Sequence, residues 1–459
     1  MSVANQQSLK RVQTKPIFVL LLMAASLAAQ AQSAGEVEFS KGVGFAQMPG
    51  QMPRTLGKGL PLHEGDRLTI ADGSAAIIKL NDGTRMTLRP NSEMVVQQYQ
   101  YKDGSAQNSM VMQLLRGGFR AITGMITKNA PNAAKIQTNT ATVGIRGTDF
   151  DARVCGAECK EESSKITETA KPNTIAASAK LVSSEGDISA TDLTKAKRTL
   201  VDGGSVYPGE TIDVGPKAKG VLIFRDDSRI TLGANTRFKV DSFVYDTKNP
   251  TEGNFLVSLL RGSLRALTGQ IGKSNNRNVR FITPTATVGI RGTGLDMDCG
   301  AVENASGSCS FYTWQGSIEV APLGQDVLKN LQTLHAGQGM FVSRTTTRPL
   351  TAPTLEYMQR PDTVPVKVQE LFGKSNAPTD EKGLYVFVRD GHVEITSSKE
   401  TLHLGRGETG FAANDGQTGR PANMPLFIQF DKVPMPNTPN PTLLSLVGQS
   451  SKPASNQCK

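Results

Sequence analysis

Two stretches of the chain alternate apolar and polar residues with a period of two. Ala141, Val143 and Ile145 alternate with Thr142, Gly144 and Arg146, which puts the first set on a buried face and Arg146 on the opposite one. After Gly147-Thr148 the inward set becomes Phe150, Ala152 and Val154, so the parity slips by one. The same slip separates Ala286, Val288 and Ile290 from Leu295 and Met297. A parity shift at the same Gly-Thr in both stretches predicts a β-bulge or tight bend at Gly147 and Gly292. The 45 glycines and the scarcity of long apolar runs favour short strands joined by tight turns. The predicted class is all-β.

These stretches belong to an internal duplication. Thr140 to Thr148 recurs without a change at Thr285 to Thr293, and Leu114-Leu115-Arg116-Gly117 recurs in the same register as Leu259-Leu260-Arg261-Gly262. Asp82-Gly83-Thr84-Arg85 corresponds more loosely to Asp226-Asp227-Ser228-Arg229. The copies run from about Gly59 to Cys155 and from Gly203 to Cys299. A shorter strand, Gly turn, strand unit appears around Gly186, Gly316 and Gly391, each followed by a Gly-Glu or Gly-Gln turn at Gly209-Glu210, Gly337-Gln338 and Gly407-Glu408.

The expected organisation is a first repeat domain over 35–180 and a second over 181–344, then a Pro- and Thr-rich linker over 345–380 with one short helix around Val366 to Phe372. A smaller β unit over 381–433 and a disordered tail over 434–459 follow.

The N-terminus changes the picture of location. Lys10, Arg11 and Lys15 precede an apolar run from Ile17 to Ala29, and Ala29-Gln30-Ala31 fits a cleavage site. Residues 1–31 read as a secretory signal peptide, with an uncleaved anchor as the other reading. No other stretch is long and apolar enough to span a bilayer, so no transmembrane segment is expected after cleavage. Five cysteines suit an oxidising compartment: Cys155, Cys159, Cys299, Cys309 and Cys458. Their parallel placement in the two copies predicts local bridges Cys155–Cys159 and Cys299–Cys309. A Cys155–Cys299 cross-link is the rival, and Cys458 is left free or intermolecular. The net charge of +10 reads as a solvated basic surface or as attraction to an anionic partner. No block of consecutive Lys or Arg and no aromatic-plus-basic segment points to nucleic acid.

Each copy resembles the FecR domain of bacterial envelope proteins. The residues that carry the resemblance are Gly65-Asp66, Asp82-Gly83-Thr84, Leu115-Arg116-Gly117 and, most specifically, Thr138 to Thr148. In the second copy they are Gly209-Glu210, Leu260-Arg261-Gly262 and Thr283 to Thr293. The unit near Gly391 looks like a degenerate closing segment of the same family. The resemblance implies an all-β periplasmic domain, solenoid- or jelly-roll-like, which in the family's best-known members relays signals from an outer-membrane transporter to a cytoplasmic sigma factor. It does not carry over anti-sigma regulation, because only sixteen residues precede the apolar run.

Candidate chemistry is sparse. His63, His335, His392 and His403 show no metal-ligand spacing, and no cofactor is expected. Asp149, Asp151, Asp296 and Asp298 flank the bulges with outward parity and read as solvated strand residues. The duplicated arginines Arg116, Arg120, Arg146, Arg261, Arg265 and Arg291 are the candidate ligand surface, since the guanidinium fork suits phosphate or carboxylate; pairing with neighbouring strands is their structural reading. The expected function is binding without turnover by a periplasmic or secreted envelope protein, with a protein partner favoured over a glycan. One Trp and seven Tyr offer few aromatic platforms for sugars, and Trp314 is the lone strong candidate.

Overall fold

A computed structural model describes residues 33–130, 133–300, 307–323, 331–373 and 377–438. The expected signal peptide, Cys458 and most of the expected tail lie outside these residues. Among the described residues the strands form two sheets of 15 strands each, and the helices are short and confined to connections.

The duplication is visible strand by strand. In each sheet a long strand, Ser109–Ile122 or Asn254–Leu267, runs antiparallel to a bulged strand, Thr142–Cys155 or Ala286–Cys299. A short strand, Ala134–Gln137 or Val279–Ile282, pairs parallel with the first and antiparallel with the second. The inward sets follow the parity of the sequence. Val143, Ile145, Phe150 and Ala152 are buried in one core, and Val288, Ile290, Leu295 and Met297 in the other. Burying a large apolar side chain contributes roughly 1.5–3 kcal/mol, so the alternation itself commits each strand to one face. Pairing slips between Arg146 and Asp149 and again between Arg291 and Gly294, at the predicted bulges.

The two domains differ in how they are closed. In the second, Ala286–Cys299 pairs along its length with Ser308–Pro322, from Ala286↔Pro322 to Cys299↔Cys309. In the first, that position is filled from the far end of the chain. Gly383–Thr396 pairs with Thr142–Cys155 from Thr142↔Thr396 to Cys155↔Gly383. Leu384, Val386, Val388, Val393 and Ile395 enter the first core with Leu402 and Leu404. This corrects the boundaries read from the sequence. The segment 381–433 is no unit of its own, and 35–180 is an incomplete domain. The second domain is inserted between two strands of the first. A strand's pattern declares that it must be paired, but not with which partner.

The Pro- and Thr-rich segment is likewise more than a linker. Thr347–Leu350 pairs with Gly339–Ser343 at the edge of the second sheet. The chain then crosses the outer face of that sheet as a strap. Arg265 donates to Leu355 O and Met358 O at 3.0 and 2.8 Å, and Arg229 to Val364 O at 3.0 Å. The expected helix follows at Val368–Phe372. The first domain carries a corresponding strap after the helix Leu426–Gln429: Arg89 and Arg120 both pair with Asp431, and Arg120 donates to Val433 O.

Candidate functional site

The six duplicated arginines do not converge on one surface. Arg116 and Arg261 are exposed and sit 3.2 and 3.8 Å from Glu93 and Asp213. Arg120 and Arg265 are buried beneath the straps, hydrogen-bonded to Asp151 and Asp296 at 2.8 and 2.9 Å. Arg146 lies at the bulge, pairs with Glu394 at 3.0 Å and donates to Asp202 O at 2.8 Å, while Arg291 pairs with Glu319.

The carboxylates beside the bulges depart from the solvated state expected of them. Their parity is outward, as read, but the straps and neighbouring strands cover the outer face. Asp151 and Asp296 are buried. Burial pushes the Asp149 and Asp298 carboxyls up to about 6. Trp314 is also engaged. Its Nε1 donates to Asp296 at 3.0 Å, and the Arg360 guanidinium stacks 4.1 Å from the ring centroid. The ring offered as a sugar platform is thus part of the strap's seat.

The two domains meet through the C-terminal strands. Lys180, fully buried at the start of the second domain, donates to His403 O at 2.7 Å and lies 3.9 Å from Glu408. Glu408 accepts from Arg420 Nε at 2.8 Å, and Arg420 also donates to His403 O. Desolvation lowers the Lys180 ammonium to about 8. His392 Nε2 stands 3.2 Å from His403 Nδ1. Burial and the nearby cations hold both imidazoles below their ordinary range, His403 at about 4.

The spacing of these histidines in the sequence shows no metal-ligand pattern and does not by itself show their contact. The signal was the strand, turn, strand pattern around Thr396 to Thr401. Its register sets Glu394 opposite His403 and His392 opposite Gly405, which makes the two histidines diagonal neighbours. Among the described residues no group of three or more His, Cys, Asp or Glu side chains is placed to hold a metal ion.

Beside this interface opens a cleft of about 630 Å³. One side is the first bulge, with Arg146, Thr148, Asp149, Asp390 and His392. The other is the strand Lys197–Thr199 with Tyr207 and Arg406. Arg198 and Arg406 both stack on the Tyr207 ring, at 5.9 and 4.6 Å, and Arg198 is held by Glu210 at 2.8 Å. Glu210 itself caps its turn by accepting from Tyr207 N at 2.9 Å, as Asp66 does from His63 N at 2.8 Å in the first copy. The Gly-Asp and Gly-Glu openings are therefore turn anchors, each tied to one arginine, Arg54 or Arg198.

Cys155 is joined to Cys159 and Cys299 to Cys309, with Cα–Cα distances of 5.6 and 4.1 Å. Both pairs are local, as expected, and suit an oxidising compartment. No helix among the described residues is long and apolar enough to cross a membrane.

The family model described as FecR protein matches residues 66–168 and 210–319. The two matched segments correspond to the two repeat domains, and the strands that close the first lie outside both. Two crystal structures of a putative anti-sigma factor from Parabacteroides distasonis, at 1.65 and 2.50 Å resolution, are 17% identical over 30% of this chain and 57% of theirs, with a TM-score of 0.23. No curated protein matches the chain.

Proposed function

We propose that this chain is a non-catalytic, protein-binding module of the bacterial cell envelope, periplasmic or secreted. The observation that carries the reading is the cleft at the domain junction, which is bordered by a strand with one unpaired edge. Among the described residues the strand Lys197–Thr199 pairs only with Ile188–Thr191. Such an edge accepts another main chain by strand addition. The FecR domains support a role in signalling between envelope proteins, and the local disulfides support export.

A glycan-binding role is the alternative, and the capture of Trp314 by Arg360 and Asp296 weighs against it. Affinity capture from chemically cross-linked envelopes, run beside sedimentation with purified cell wall, separates the two. A specifically captured protein supports the proposal. Salt-resistant sedimentation with no captured protein contradicts it, and sedimentation abolished by modest salt reduces it to the pull of a basic surface.

A further inference from the structure

We infer that the cleft binds an extended polypeptide segment, which adds as a strand to the edge Lys197–Thr199 and directs an acidic side chain at Lys197 and Arg406. The inference rests on the protein-binding reading and names the chemistry of the partner.

The main chain supplies the first argument. Asp192 N donates to Ala196 O and Leu200 N donates to Ile188 O, so Ala196 and Leu200 turn their polar groups toward the neighbouring strand. Arg198, opposite Ala190 between them, does the same. By alternation, the N–H and C=O groups of Lys197 and Thr199 point the other way, where no strand of the described residues pairs with them. Ala196, Lys197, Arg198 and Thr199 all line the cleft. The edge therefore borders an open volume within the range of small-ligand sites.

Charge supplies the second argument. Arg146 is committed to Glu394 and Arg198 to Glu210. Asp192 is held within its own turn by Thr194 and by Ala196 N. Among the described residues Lys197 and Arg406 are the cations on this side that make no ion pair, although Arg406 is near enough to Asp192 to help hold its carboxyl below the ordinary range. Arg406 is fixed by its main chain, which donates to the Tyr207 hydroxyl at 2.5 Å, and by its stacking on that ring. A carboxylate arriving on an added strand meets both.

The opposite side has unused polar capacity. Asp149 Oδ1 and His392 Nδ1 are buried with no hydrogen-bond partner, and both residues line the cleft. Thr148 also lines the cleft, its hydroxyl donating to His392 O at 2.8 Å, and Gly147 leaves open space at its Cβ position. The equivalent bulge at Gly292 does not line this cleft.

The test uses the full mature chain and three labelled peptides, N-acetylated and C-amidated: Thr-Glu-Thr-Glu-Thr-Glu-Thr and its Gln and Lys counterparts. Fluorescence polarisation is measured at low and moderate salt. The Glu peptide should bind about tenfold more tightly than the Lys peptide, a difference of about 1.4 kcal/mol, with the Gln peptide between. Thr199→Pro removes one outward N–H without touching the pairing to Ile188–Thr191, and should abolish binding while the unfolding transition stays in place. Arg406→Glu should invert the preference between the Glu and Lys peptides.

Equal binding of all three peptides, no binding of any, or binding unchanged in Thr199→Pro would overturn the inference. If parent and Thr199→Pro capture the same protein equally from cross-linked envelopes, the protein-binding reading stands and the cleft falls. Loss of that capture in Thr199→Pro supports both.

Discussion

Gly147 and Gly391 face each other at the first bulge, both in the left-handed region, with φ of +62° and +89°. A Cβ on Gly391 would collide with the Gly147 carbonyl oxygen, whereas one on Gly147 would meet nothing. Gly292 and Gly316 repeat the arrangement in the second domain, at +66° and +72°. The two positions should therefore respond differently to the same methyl group. Gly147→Ala should cost about 1 kcal/mol, from backbone strain alone. Gly391→Ala adds a clash and should cost about 2–4 kcal/mol. Urea unfolding of the two variants checks this, and equal losses would contradict it.

That glycine pair also marks how far the sequence could be read. The bulge was legible because parity is a local property: Ile145 and Phe150 cannot both face the core unless the register slips between them. The duplication and the local cysteine pairs were legible for the same reason. The partner of the bulged strand was not. Val386, Val388, Val393 and Ile395 announce a strand, and nothing near them says that it completes a sheet begun at Ser33. The second domain's strap was illegible because a Pro- and Thr-rich segment carries no periodicity, and the first domain's because Asp431 and Val433 fall at the end of the stretch expected to be a separate β unit. Asp151 and Asp296 were therefore read as solvated when Arg120 and Arg265 hold them under cover. The cleft depends on both of these long-range features, so Arg146 could be singled out from its motif but not placed opposite Arg406.

The disulfides should be worth little individually because their loops are short. Replacing Cys155 and Cys159 together by Ser should cost about 2 kcal/mol, and replacing Cys299 and Cys309 about 3 kcal/mol, on the chain-entropy relation. Non-reducing peptide mapping should recover both local pairs. A peptide linking Cys155 to Cys299 would contradict the structure.

Acid should weaken the domain junction through its histidines. His392 and His403 have folded-state values below the ordinary 6.5, so the folded chain binds fewer protons than the unfolded one in the interval below that value. Their contribution to stability is fully present above pH 6.5 and is lost as the pH falls toward about 4. His403→Gln should accordingly lose less stability than the parent between pH 7 and pH 4.5, measured by urea midpoints.

Asp298 works in the opposite direction. Desolvation raises its carboxyl from 3.8 to about 6, so the folded state binds more protons in that interval and gains stability as the pH falls through it. Asp298→Asn removes the cost of the buried charge. It should be more stable than the parent by about 1–2 kcal/mol at pH 7, a figure reduced for partial solvent screening. The difference should vanish near pH 4. A variant that is less stable at neutral pH would show that the carboxylate has a partner.

The central structural claim is that the first FecR-type domain is built from two distant pieces of chain, with the second domain inserted between them. Hydrogen exchange read by mass spectrometry on a chain ending at Asp380 tests it most directly. That truncation deletes the strand paired with Thr142–Cys155 and leaves the second domain and its strap intact. The account predicts loss of protection across Ser33 to Cys155, with protection retained in the strands between Ala179 and Leu350. Protection of Thr142–Cys155 equal to that in the full chain would contradict it.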